Sequence, residues 1–136
     1  MNQELRDKRI EYRLSQARES LREADALFQA SLLRGAINRA YYAMFYATLA
    51  LAVLKSQAVS KHGGLIAFFD REFVRTGFFP KELSKALHLA FERRQSNDYG
   101  EVWLIDQIEA ETSISEARGF VDAIVEYLAA TNKSAE

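Results

Sequence analysis

Between Ala36 and Lys55 the chain reads AINRAYYAMFYATLALAVLK, apolar almost all the way round a helical wheel. Such a helix is stable in water only when neighbours cover it on several sides, so this segment is expected to be the middle of a helical bundle. It is too short for a membrane span, because the apolar stretch is broken at Arg39 and stops at Lys55, against the roughly 20 residues a bilayer requires. Arg39 inside this run needs either a salt-bridge partner on another helix or a route to solvent.

The flanking segments supply the neighbours. Leu14, Ala17, Leu21, Ala24, Phe28 and Leu32 recur at alternating three- and four-residue spacings, the stripe of an amphipathic helix. A first helix is expected from about Gln3 to Leu33, with Gly35 making the turn into the second. Ser60 is the expected N-cap of a third helix from Lys61 to about Arg75, ended by Gly77. Pro80 suits the first position of a fourth helix reaching Arg94, and Gln95–Gly100 reads as a break. Ile114, Ala117, Val121, Ile124 and Leu128 mark a last helix from about Asp106 to Ala130. The expected fold is therefore all-α, a single domain over 1–136 with its core at about 10–130. It is an up-and-down antiparallel bundle of four main helices with the short third one inserted.

Composition narrows the chemistry. The chain has no Cys and two His in 136 residues, which removes disulfides, thiolate metal sites and Cys nucleophiles and leaves no metal site in prospect. Gly63-Gly64 lacks the preceding strand and following Lys-Ser/Thr of a phosphate-cradling loop, there is no HExxH, and Glu92, Asp98, Glu109 and Glu111 lack the Glu-x-x-His companion of a bundle metal site. The charged segment Met1 to Glu11 does not read as a signal peptide, so a cytoplasmic protein without membrane attachment is expected. Net charge is only −1, yet Lys55 to Arg94 holds eight basic residues against four acidic ones, while the chain after Tyr99 holds eight acidic residues opposed by Arg118 and Lys133. A local basic face is compatible with that asymmetry, as is a merely solvated helix surface. Tyr41, Tyr42, Phe45, Tyr46, Phe68, Phe69, Phe73, Phe78, Phe79 and Trp103 are many aromatic rings for so small a core, and a homodimer interface would take some of them.

Four separated segments occur in a telling order: Asn38-Arg39-Ala40-Tyr41-Tyr42-Ala43-Met44-Phe45-Tyr46-Ala47, Ser60-Lys61-His62-Gly63, Phe73-Val74-Arg75-Thr76-Gly77 and Arg94-Gln95-Ser96-Asn97-Asp98-Tyr99-Gly100. With them the chain resembles the HEPN domain family, in its branch of small stand-alone prokaryotic proteins, over roughly residues 10 to 130. The resemblance implies a helical homodimer, often encoded beside a minimal nucleotidyltransferase. Many members of the family act as metal-independent ribonucleases in toxin–antitoxin or defence systems. No cofactor is implied.

In ribonuclease members the family motif is an Arg followed, after four to six residues, by a His. Guanidinium groups then hold the scissile phosphate while imidazoles carry protons. Here four intervening residues lead from Arg93 to Asp98 and from Arg94 to Tyr99, and neither is His. An ionised Asp is a weak base and a poor acid, and a Tyr is seldom a base, which counts against cleavage by that route and leaves phosphate binding intact. The resemblance therefore points to Arg94, Tyr99 and Asp98 as the reactive positions. Arg93, Arg39, His62 and Lys61 are the candidates for binding RNA (tRNA or mRNA) or nucleotide phosphates. Tyr99 is also the position a partner transferase would modify with adenylate. The alternatives are an active ribonuclease in which Tyr99 or His62 replaces the missing imidazole, and a non-catalytic interaction module. His62 reads equally as a capping or loop-packing residue, His88 as a surface residue, and Tyr42 and Tyr46 as core or dimer contacts.

Overall fold

The structure, a computed structural model, describes residues 2–59, 61–99 and 105–135, the side chains of 97–99 and 133–135 excepted. Five helices follow in order: α1 Gln3–Gln29, α2 Leu33–Leu54, α3 His62–Phe69, α4 Lys81–Tyr99 and α5 Gln107–Ala135, with α3 continued by a π-helical turn at Asp70–Val74. No strand occurs among the described residues, and none of their helices is long and apolar enough to cross a membrane. The all-α bundle expected from periodicity is what forms.

Helix α2 lies at the centre and touches α1, α3, α4 and α5. Eleven of its residues are buried, from Ala36 to Ala52. Six of them are alanines, which let neighbouring backbones approach closely while Tyr41, Met44 and Leu51 fill the space between. The stripes read from sequence face this core: Leu14, Ala17 and Ala24 on α1 are buried, as are all five marked positions of α5. Helices α1 and α5 run antiparallel, since Asp25 near the end of α1 meets Arg118 in the first half of α5 at 2.6 Å, while Ile10 and Leu14 share a groove with Val125 and Leu128. Most of the aromatic surplus is internal. Phe68, Phe69, Phe73 and Phe79 are buried and pack with Phe120 and Tyr127, leaving Phe78 as the exposed member of that cluster. Trp103 lies outside the described residues.

Several helix ends differ from expectation, two of them because a serine takes the left-handed position. Helix α1 stops at Gln29, short of Leu33, and the turn is made by Ser31 at φ 63°, with Ser31 N–H bonding to Phe28 O and Leu32 N–H to Leu27 O. This is the Schellman arrangement, with a serine where glycine is the usual occupant. Leu32, counted in the α1 stripe, lies outside the helix and is exposed. Gly35, expected to make the turn, instead lies inside α2, where a Cβ would stand 3.2 Å from Leu27 Cδ1, so its role is close approach between α1 and α2. Helix α2 ends the same way, on Ser56 at φ 54°. The third helix is shorter than expected and passes into the π turn before Gly77, at φ 87°, ends it as foreseen. The expected capping Ser60 lies outside the described residues. The fourth helix runs through the predicted break at Gln95 and on to Tyr99, so Arg94 sits inside a helix and not at its end.

Relieving the left-handed serine is predicted to stabilise the bundle. Ser31→Gly should raise the free energy of unfolding by about 0.5–1 kcal/mol, measured by urea denaturation, whereas Ser31→Val should lower it.

Candidate functional site

The residues singled out on α2, α3 and α4 converge at the N-terminal half of α2. Arg39 is polar in an apolar helix and finds three partners. Its Nε and one terminal nitrogen donate to Asn38 Oδ1 at 3.3 and 3.0 Å, Glu23 of α1 lies 3.9 Å from the other terminal nitrogen, and its guanidinium carbon stands 4.7 Å from the Tyr42 ring centroid. Arg39 thus has the partner on another helix that its place in an apolar run requires. Arg94 reaches the same ring from α4, its guanidinium carbon 5.5 Å from the Tyr42 centroid and 5.8 Å from that of Tyr41. Distances of 4.7 and 5.5 Å to one centroid place the two guanidinium carbons within about 10 Å of each other. The negative faces of the aromatic rings offset part of the repulsion between the two cations.

His62 opens α3 and closes the cluster. Its Nδ1 lies 2.5 Å from the Tyr41 hydroxyl, and its ring packs on Phe45 at 4.5 Å, Tyr42 at 5.9 Å and Phe91 of α4 at 6.1 Å between centroids. Sequence spacing does not bring His62 to Arg94; packing of α3 and α4 against α2 does. Burial, and secondarily the positive charge of Arg94, lower the basicity of His62 below the ordinary imidazole value. Burial likewise pushes the Tyr41 hydroxyl well above the usual phenol range, outweighing the opposing pull of Arg94, so it stays protonated. Arg39, Tyr42, His62 and Arg94 are all partly exposed, while Tyr41 is 1% exposed beneath them. The result is a partly exposed cluster of two guanidinium groups and an uncharged imidazole around aromatic rings, an arrangement suited to an anionic oxygen.

Other predicted positions fall elsewhere. Arg93 turns to α5, donating to Ser113 at 3.2 Å and pairing with Glu116 at 3.3 Å, both partly buried contacts that tie α4 to α5. Lys61 is exposed and directly precedes His62. The side chains of Asp98 and Tyr99 lie outside the described residues. His88 is at the surface as read, yet it also bonds Asp70 at 2.7 Å, and that carboxylate accepts from Ser84 at 2.6 Å, fastening the π turn to α4. Tyr46 is partly buried against Tyr42 and Phe45. Sequence reasoning passed over the Tyr41 hydroxyl, Asn38 as the partner of Arg39, and Phe91. The available signal was the pair Tyr41-Tyr42 in a helix buried on every side, since a buried phenol has to find a partner.

Residues 10–128 match the HEPN domain, and the chain belongs to that family. Among its relatives is a UPF0332 protein of Thermotoga maritima, 44% identical over 119 residues covering 88% of this chain and 90% of that one. Two proteins of Methanocaldococcus jannaschii also match: "Putative toxin MJ0142" is 32% identical over 130 residues (95% of this chain, 88% of that one). "Putative toxin MJ0605" is 34% identical over 124 residues, 91% of each chain.

The lowered basicity of His62 has a consequence for stability. Below about pH 6.5 the unfolded chain binds this proton more readily than the folded one, so the stabilisation tied to neutral His62 is complete above that pH and lost as pH falls. The melting temperatures of wild type and His62→Gln, compared by circular dichroism, should therefore differ by a constant amount above pH 7 and converge toward pH 5.

Proposed function

We propose that this protein is a toxin-like HEPN component that binds RNA, or nucleotide phosphates, through the cleft formed by Arg39, His62 and Arg94. The observation that carries the reading is the convergence of Arg39 and Arg94 on one face of the bundle, both against the Tyr42 ring. Guanidinium groups at a partly exposed site are suited to planar, hydrogen-bonded recognition of a phosphate. Lys61, exposed beside His62, adds positive potential, Arg93 being taken up by Glu116, and Tyr42 supplies an apolar surface for a sugar or base. The toxin names of the two archaeal relatives and the basic bias of Lys55–Arg94 support the same reading. On the family resemblance, the working unit is a cytoplasmic homodimer paired with a nucleotidyltransferase-fold protein, and adenylation of Tyr99 would block the cleft with bulk and negative charge.

A second reading, metal-independent cleavage of RNA, is favoured by one observation: His62 supplies beside Arg94 an imidazole that the Arg94-x4-Tyr99 spacing lacks. Asp98 and Tyr99 would then assist at the reacting phosphate.

Fluorescence anisotropy with a single-stranded oligoribonucleotide, over a series of salt concentrations, tests the binding reading. Arg94→Ala should weaken binding and reduce the slope of log K against log salt by roughly 0.7 to 1. Equal slopes for wild type and variant would remove Arg94 from phosphate contact. RNA fragments that appear with wild type and not with Arg94→Ala, in the absence of metal, would favour cleavage.

A further inference from the structure

We infer that Tyr41 is a positioning residue that holds His62 as its Nε2–H tautomer, so that the imidazole presents a neutral N–H donor to a phosphate oxygen beside the Arg94 guanidinium. The inference rests on the phosphate-binding reading above and specifies what the imidazole does there.

The argument starts from the phenol. Tyr41 is 1% exposed, and among the described residues its hydroxyl bonds only to His62 Nδ1. A phenol carries one proton to donate, and leaving a buried donor without an acceptor is costly. If Nδ1 bore the proton, Tyr41 would be the acceptor and its own O–H would be stranded in the core. The arrangement that leaves no stranded group has Tyr41 donating to an unprotonated Nδ1. A neutral imidazole then carries its proton on Nε2.

The surroundings keep the imidazole neutral. The groups that face it are Tyr41 and Tyr42 from α2 and Arg94 from α4, alongside the apolar rings of Phe45 and Phe91. Among the described residues that face it there is no carboxylate, and burial and the Arg94 charge both disfavour an imidazolium. With Nδ1 occupied and the ring faces covered, Nε2 is the one polar atom His62 has left to offer. In this tautomer Nε2 has no lone pair available to take a proton from a 2′-hydroxyl. His62 thus serves as a donor to a bound anion and not as the general base of a cleavage reaction. The neutral donor adds hydrogen bonding to the cleft without adding a third positive charge to Arg39 and Arg94.

Nitrogen-15 NMR of histidine-labelled protein at pH 7.5 reads the tautomer directly, because protonated and unprotonated ring nitrogens have separate shifts. The chain has two histidines, and His88→Gln identifies which signals belong to His62. The expected result is a protonated Nε2 and an unprotonated Nδ1 on His62, with this preference lost in Tyr41→Phe. Anisotropy with the oligoribonucleotide supplies the second readout. His62→Ala should bind about tenfold more weakly than wild type; His62→Gln, which restores a neutral N–H donor, should recover most of that loss. Tyr41→Phe should fall between wild type and His62→Ala. A wild-type His62 protonated on Nδ1, or His62→Gln as weak as His62→Ala, overturns the inference while Arg94-dependent binding still supports the reading beneath it. Absence of Arg94-dependent binding overturns both, whatever the tautomer. The tautomer is read on the wild type, with His88→Gln used only to assign its signals, so a poorly folded Tyr41→Phe would not rescue a wrong assignment.

Discussion

A central helix packed against four others must find partners for the polar atoms it carries inward, and in this protein that requirement organises the whole molecule. The C-terminal half of α2, from Ala47 to Leu54, has a single polar side chain, Thr48, whose hydroxyl donates to Met44 O within the same helix. The N-terminal half carries Asn38, Arg39, Tyr41, Tyr42 and Tyr46. Their needs are met from outside: Glu23 on α1 answers Arg39, and His62 at the start of α3 answers Tyr41. Both halves of α2 therefore contribute to the core, and the polar half also collects the partners that make up the candidate site. Fold and site are two consequences of one helix.

The electrostatics of that polar half follow from the same packing. Arg39 and Arg94 come from helices held together by apolar contacts, so the core sets where they stand. Both pack on the Tyr42 ring, and Arg39 is also held by Asn38 and Glu23. Arg93, one residue away, faces another way and makes an ordinary interhelical pair with Glu116. Neighbouring arginines on one helix thus divide between α5 and the aromatic rings of α2, as residues adjacent on a helix point to different sides. Near the far end of α2, a separate groove of about 640 Å³ between α1 and α5 contains none of the cleft residues.

How much of this was readable in the sequence depends on the range of the interaction. The helices and their buried faces were legible because a 3.6-residue period is a local property, and Leu14, Ala17, Ile114, Val121 and Leu128 all face inward as the spacing required. Helix ends were less legible because Ser31 and Ser56 occupy left-handed positions where glycine is the usual signal. The π turn at Asp70–Val74 is tied to α4 by Ser84 and His88 at Asp70, contacts that no local pattern encodes. Among site residues, Arg39, Arg94 and His62 could be named one by one, but their meeting could not, because it is made by the packing of three helices. Tyr41 was hidden for another reason: counted as an aromatic ring it belongs to the core, and only its hydroxyl belongs to the site.

The central claim is that the half-open end of α2 is where this HEPN protein meets an anionic chain. A crystal structure of the protein with a short bound oligoribonucleotide tests it most directly. The account predicts a phosphate oxygen within hydrogen-bond distance of the Arg94 guanidinium, with Tyr42 against the adjoining sugar or base. An oligonucleotide lying instead over Arg71, Arg75 and Lys81, with Arg39 and Arg94 left untouched, would contradict it.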